Sequence, residues 1–257
     1  MHPDFIRFGP LDIHTYGVMV AIGFALGLWV AGWRAAREGL PREKVADLGV
    51  WLIVAGMLGG KLFHIIFFWR DFQAGWRLEG LRSLREGFVF LGGFIAATIT
   101  AIVYARRQHL PLAKLLDVLA PSLALGHAFG RLGCFFNGCC FGKPCNRPWA
   151  VTFPYPHQMA GIPVHPVQLY ETAGNLVIFA GLSWYFRRRR FPGEIVWLYV
   201  LSYGTLRFAL EFLRGDYPDR YFGVFSASHL IAVAMMIAGT IALVRGGRQA
   251  TVSSLNG

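Results

Sequence analysis

Apolar stretches of about 20 residues, the length a helix needs to cross the hydrocarbon of a bilayer, recur along the whole sequence. Only short joints rich in arginine, or in proline and glycine, break them. Backbone polar groups find no water at mid-bilayer, so each spanning piece must satisfy its own hydrogen bonds as a helix. Seven segments are predicted, at residues 16 to 33, 48 to 69, 88 to 105, 115 to 133, 166 to 186, 194 to 213 and 225 to 244. The charged share supports this reading: 15% of the 257 residues are charged, against about 25% in soluble domains. The expected fold class is an all-α polytopic membrane protein with about seven transmembrane helices and a small periplasmic head region.

The opening MHPDFIRFGPLDIHTYG carries acids, no basic cluster and no small-residue cleavage site, so it does not resemble a signal peptide and is expected to stay in the mature chain. Arginine and lysine in the joints set the orientation. Those following odd-numbered segments hold thirteen (Arg34, Arg37, Arg42, Lys44, Arg106, Arg107, Lys114, Arg187 to Arg190, Arg245 and Arg248), and the other side holds nine. The bias puts the C-terminus in the cytoplasm and the N-terminus outside. A net charge of +11 raises nucleic acid as a partner. The basic residues flank apolar spans and form no compact domain, so membrane lipids with anionic headgroups account for them and nucleic acid is not expected.

No linker separates a second domain and no internal repeat is visible, so residues 1 to 257 read as one membrane-embedded domain. Two joints stand out. Residues 70 to 87 place Phe72, Trp76, Leu81 and Leu84 near helical spacing among arginines, as in a short arm lying in the headgroup layer. Residues 134 to 165 are rich in proline and glycine, and alternation around Ala150 to Phe153 predicts a small extended cap rather than a helix.

Ionisable groups inside spans are costly, from about 2.5 to more than 10 kcal/mol for an arginine at mid-membrane, so each is a functional candidate. Lys61, Arg131, Glu171, Arg207 and Glu211 qualify. Arg207 and Glu211 stand four apart and can pair on one helical face. Arg131 has only His127 at that spacing on its own segment, so its partner comes from another helix or from a ligand. Lys61 is followed one turn later by His64. Guanidinium forks bind phosphate through paired hydrogen bonds, so several cations facing one cavity would make a phospholipid headgroup site. Structural ion pairs with Glu171 and Glu211 are the simpler alternative. Tyr16, Tyr170 and Tyr203 fall in the same zone.

All four cysteines, Cys134, Cys139, Cys140 and Cys145, follow Arg131 with spacing C-x4-C-C-x4-C. The paired C-x2-C of structural zinc sites is missing. A periplasmic location makes disulfides or buried thiols the first reading, a metal site the second and redox catalysis the third.

Taken together, GRLGCFFNGCCFG, HTYG, LGGK, FLGGF, HPVQLYE and YGTLRFALEFLRGD, in this order over nearly the whole length, resemble the motifs of the prolipoprotein diacylglyceryl transferase family of the bacterial inner membrane. The resemblance implies transfer of the diacylglyceryl group of phosphatidylglycerol to the lipobox cysteine thiol in the signal peptide of a preprolipoprotein, with no metal or soluble cofactor. It implies that Arg131 binds the lipid phosphate and that Arg207 stabilises charge as the carbon–oxygen bond breaks. Tyr16 and Tyr203 would line the cavity, and Asn137, Gly138 and Gly142 would shape a turn close to the lipid. Lys61 and Glu211 complete the expected binding set.

The chain departs from the family pattern at Leu91, where a histidine proposed as the base stands in F-H-G-G. It also has Cys134, Cys139 and Lys61 where asparagine, glutamate and arginine are usual. His127 or His64 would then be the proton acceptor. Two further readings stay open: a membrane thiol-disulfide or metal protein built on the cysteines, and a lipid-binding paralogue without chemistry.

Overall fold

A computed structural model describes residues 4–8, 11–69, 88–154, 157, 159–215 and 225–255. Strands β1 (Asp4–Phe8) and β2 (Leu11–His14) precede helix α1 (Thr15–Arg37), followed by α2 (Arg42–Phe67), α3 (Phe90–Arg107) and α4 (Leu112–Asn137). Two short strands, β3 (Val151–Thr152) and β4 (Pro163–Val164), lead into α5 (Val167–Tyr185), a 3₁₀ turn over Phe186–Arg188, α6 (Glu194–Glu211) and α7 (Ala227–Leu255).

Each α-helix falls on one of the predicted apolar segments. Four are long and apolar enough to cross a membrane by length and composition: Thr15–Arg37, Arg42–Phe67, Leu112–Asn137 and Ala227–Val252. Large apolar side chains such as Leu58, Ile66, Leu230 and Ile231 stand exposed along them, a surface that suits hydrocarbon and not water. The chain is an all-α membrane protein.

Several helices outrun the apolar windows. α2 begins at Arg42 rather than 48, α4 runs through Cys134 to Asn137, and α7 continues beyond 244 over Arg245 and Arg248. Arginine, lysine, glutamate and alanine are good helix formers although they depress hydropathy, so hydropathy marks the part of a helix that fits lipid and not its ends. The extended segment expected from 134 therefore starts after Asn137. The β1–β2 hairpin was not anticipated, and the alternation in Leu11-Asp12-Ile13-His14 was its signal. The arm expected at 70 to 87 lies outside the described residues.

The chain divides into two compact units. In residues 32–115, α2 and α3 pack through glycines: a Cβ added at Gly59 would lie 2.4 Å from the Ala96 Cβ and 2.6 Å from the Gly92 carbonyl oxygen. Such close approach is how membrane helices gain contact where lipid is as apolar as the side chains. Lys61 and Leu91 belong to this unit. The Lys44 ammonium donates to the Gln108 carbonyl at 3.3 Å.

The other unit combines residues 1–31 and 116–257. Here Asp117 on α4 is fully buried and accepts hydrogen bonds from the backbone N–H of Gly193 at 2.7 Å and of Val196 at 3.0 Å. It thus caps the open N-terminus of α6 from a neighbouring helix. Between α4 and α5, Val151 pairs with Val164 and Thr152 with Pro163. Phe141, Phe153 and Val164 form a small core there, joined by Met159. This is the extended cap that the alternation around residue 150 predicts.

Candidate active site

Three helices of the larger unit converge on Glu171. α5 carries this carboxylate fully buried, and α4 brings Arg131 to it with Nε 3.1 Å from Oε2. His127, one turn before Arg131, has Nε2 at 3.5 Å from Oε1 and 3.4 Å from the Arg131 Nε. From α6 the Tyr203 hydroxyl donates to Oε1 at 3.2 Å, and its ring lies 4.8 Å from the imidazole, centroid to centroid. The partner sought for Arg131 is therefore a carboxylate on another helix.

One turn after Tyr203, Arg207 makes the ion pair expected from its spacing, Nη1 to the Glu211 Oε2 at 2.5 Å, while Nη2 donates to the Ser228 hydroxyl on α7 at 3.1 Å. Glu211 has further partners: the Ser226 hydroxyl donates to it at 2.5 Å and the Arg214 Nε lies at 3.9 Å. The His127 and Tyr203 rings meet between the two ion pairs, and Tyr203 and Arg207 stand one turn apart on α6, so the pairs are neighbours in one cluster.

Accessibility divides the cluster. The carboxylates of Glu171 and Glu211 are sealed, whereas the side chains of His127, Arg131 and Arg207 remain 24%, 17% and 13% exposed. A ligand meeting this surface touches cations and an imidazole, and never the acids behind them.

Beyond α4 the chain turns sharply at Gly138 and Cys140, with φ of 75° and 64°, and is then held from both sides. The Gly142 N–H donates to the His165 carbonyl at 2.9 Å, the His165 N–H to the Lys143 carbonyl at 3.0 Å and the Lys143 N–H to the Leu213 carbonyl at 2.8 Å. Gln168 Nε2 donates to the Cys139 carbonyl at 2.7 Å. At Gly142 a Cβ would sit 2.6 Å from the His165 Cβ and 2.7 Å from its carbonyl oxygen, so only glycine fits. Gly138 and Gly142 are thus both held in this turn, one by its left-handed backbone and the other by the close approach of His165. Asn137 is the last residue of α4 and hydrogen-bonds to Cys139.

The turn gathers three of the four cysteines. The sulfurs of Cys134, Cys139 and Cys140 all lie within 4.8 Å of one another, with Cys139 and Cys140 at 3.7 Å. All four cysteines are free thiols and half-buried. Of the three, Cys140 holds a thiolate most readily. Hydrogen bonding with the thiols of Cys134 and Cys139 lowers its pKa, and the positive charges of Arg131 and Arg214 add to that. Tyr16 on α1 lies against α4, where a Cβ added at Gly133 would be 3.1 Å from its Cδ2.

Of the predicted site residues, the larger unit gathers Tyr16, His127, Arg131, Asn137, Gly138, Gly142, Tyr203, Arg207 and Glu211. Lys61 lies on α2 in the other unit. Arg214, Ser226 and Ser228 were missed. Arg214 follows Glu211 at i+3, just past the end of α6, a spacing open to sequence reading; the serines offer no such signal. Tyr170 receives a hydrogen bond from the Trp149 indole at 2.7 Å, away from the arginine cluster.

Comparison with known proteins places nearly the whole chain in one family. The family model for prolipoprotein diacylglyceryl transferase matches residues 3–245. A phosphatidylglycerol–prolipoprotein diacylglyceryl transferase of Finegoldia magna is 36% identical over 246 residues, covering 95% of each chain. Proteins of the same name from Clostridium tetani and Bordetella parapertussis are each 34% identical, covering 93% and 92% of this chain and 95% and 92% of their own. The chain belongs to the prolipoprotein diacylglyceryl transferase family.

Proposed function

We propose that this protein transfers the diacylglyceryl group of phosphatidylglycerol to the lipobox cysteine thiol in the signal peptide of a preprolipoprotein. The observation that carries the reading is the pair of partly exposed guanidinium groups, Arg131 and Arg207, backed by sealed carboxylates. A phosphate offers each arginine two charge-assisted hydrogen bonds. Neither carboxylate is stranded when that happens, because Glu171 keeps Tyr203 and His127 and Glu211 keeps Ser226 and Arg214.

In the reaction the thiol sulfur bonds to the terminal glycerol carbon of the diacylglyceryl group. The bond from that carbon to the phosphate oxygen breaks, and glycerol phosphate leaves with the electron pair. Arg207 and Arg131 stabilise the negative charge that grows on the phosphate, and His127 takes up the thiol proton. Tyr16 and Tyr203 line the lipid cavity, with the 138–142 turn completing it. All seven helices span the inner membrane, the N-terminus and the 134–165 head are periplasmic, and the C-terminus is cytoplasmic.

Purified protein in phosphatidylglycerol vesicles, given a lipobox peptide, tests the reading by mass spectrometry. The peptide is expected to gain one diacylglyceryl group with release of glycerol phosphate, and a peptide with serine at the lipobox position should stay unmodified. Folded, inserted protein that leaves the cysteine peptide unmodified overturns the proposal.

A further inference from the structure

The three gathered sulfurs serve no role in the chemistry above, and their arrangement matches a known coordination geometry. Zinc–thiolate bonds of about 2.3 Å place tetrahedrally arranged sulfurs about 3.8 Å apart. The Cys139–Cys140 separation is 3.7 Å and no pair in the trio exceeds 4.8 Å. We propose that Cys134, Cys139 and Cys140 bind a zinc ion through three thiolates, leaving a fourth position open for the incoming lipobox cysteine.

Sequence spacing argued against zinc because the chain has no C-x2-C pair. The fold replaces that pair with two devices: the last turn of α4, which presents Cys134, and the left-handed residues Gly138 and Cys140, which fold the next two thiols back onto it. A left-handed conformation is unfavourable at a residue with a side chain, and here it places one sulfur close to two others. The turn is held by the Gln168 contact to the Cys139 carbonyl and by hydrogen bonds on both flanks. Three thiolates leave the zinc site with a net negative charge, and two arginines stand close by to offset it: Arg131, one turn before Cys134 on α4, and Arg214, whose backbone pairs with that of Gly142. Soft sulfur donors select zinc or copper(I) over magnesium or calcium, and three protein ligands with an open fourth position mark a catalytic zinc rather than a structural one.

Such a site supplies what the transfer needs, and this part of the inference rests on the proposed activity. A thiol bound to zinc loses its proton outright, and the proton passes to His127. The bound sulfur then attacks the glycerol carbon; the carbon–sulfur bond forms as the carbon–oxygen bond breaks, and glycerol phosphate departs. The thioether product is a weaker ligand and leaves the zinc. Arg131 lies one turn before Cys134 on α4, so nucleophile and phosphate are held by adjacent turns of one helix.

The full chain in detergent, reduced and stripped with a chelator, is titrated with cobalt(II), whose sulfur-to-metal charge-transfer absorption reports thiolate ligation. One cobalt per chain should bind, zinc should displace it, and Cys145→Ser should bind equally well, whereas joint replacement of Cys134, Cys139 and Cys140 by serine should abolish the band. Adding lipobox peptide should raise the band by about one third, as three thiolates become four, and the serine peptide should not. Reduced wild-type protein without the band, or a band that survives the triple replacement, overturns the site. A band indifferent to the cysteine peptide overturns its role in the reaction. A band that responds to peptide in a protein that transfers no lipid once zinc is restored would sink the transferase reading and leave the metal site standing.

Discussion

Asp117 and Glu171 are both fully buried carboxylates in the same unit, each close to an arginine, yet their surroundings differ in kind. Asp117 accepts two backbone N–H groups from the start of α6, and Arg189 lies 3.9 Å away. Backbone donors cannot turn aside, so this carboxylate is locked and its work is to hold α4 against α6. The partners of Glu171 are side chains of Arg131, His127 and Tyr203, each with rotamers to spare. The same charge inside the same fold is a fastener where backbone surrounds it and an exchangeable counter-ion where side chains do. Burial alone does not identify a functional acid; the nature of its donors does.

Replacing the exposed side of the exchangeable pair should have the largest effect. Arg131→Ala is expected to cut turnover with phosphatidylglycerol vesicles by about 10²–10³-fold, the loss seen when one stabiliser of a developing oxyanion is removed, with unchanged insertion. Arg207→Ala should do the same.

Matched amide substitutions then set the two acids against each other. Asp117→Asn points an N–H₂ group at one of its two backbone donors and leaves Arg189 less well balanced. It should cost about 2–3 kcal/mol of stability in denaturant unfolding, with normal transfer per folded molecule. Glu171→Gln should reverse the pattern: little change in unfolding, but transfer lowered about tenfold, because Arg131 loses the charge that orients it. Equal stability losses in the two variants would break the distinction. The smallest effect is expected of Tyr203→Phe, which removes one hydrogen bond to Glu171 worth about 1 kcal/mol and should slow transfer about fivefold.

Much of this was open to sequence reading because lipid makes it so. Hydropathy located every α-helix among the described residues, and charge inside apolar segments singled out Arg131, Glu171, Arg207 and Glu211. The i, i+4 spacing gave the Arg207–Glu211 pair outright. Pairing across helices is another matter: that Glu171 rather than a ligand meets Arg131 depends on how α4 and α5 pack, which no local pattern encodes. Ser226 and Ser228 stayed hidden for the same reason. The gathering of Cys134, Cys139 and Cys140 depends on left-handed backbone at Cys140, a conformation its residue type does not announce.

The central claim, that Arg131 and Arg207 leave their carboxylates for a lipid phosphate, is tested most directly by native mass spectrometry of protein released from nanodiscs holding phosphatidylglycerol and diacylglycerol in equal amounts, with no peptide present. Wild-type protein should retain phosphatidylglycerol in clear preference, and the double variant Arg131→Ala, Arg207→Ala should retain both lipids alike. Undiminished preference for phosphatidylglycerol in the double variant would contradict the account.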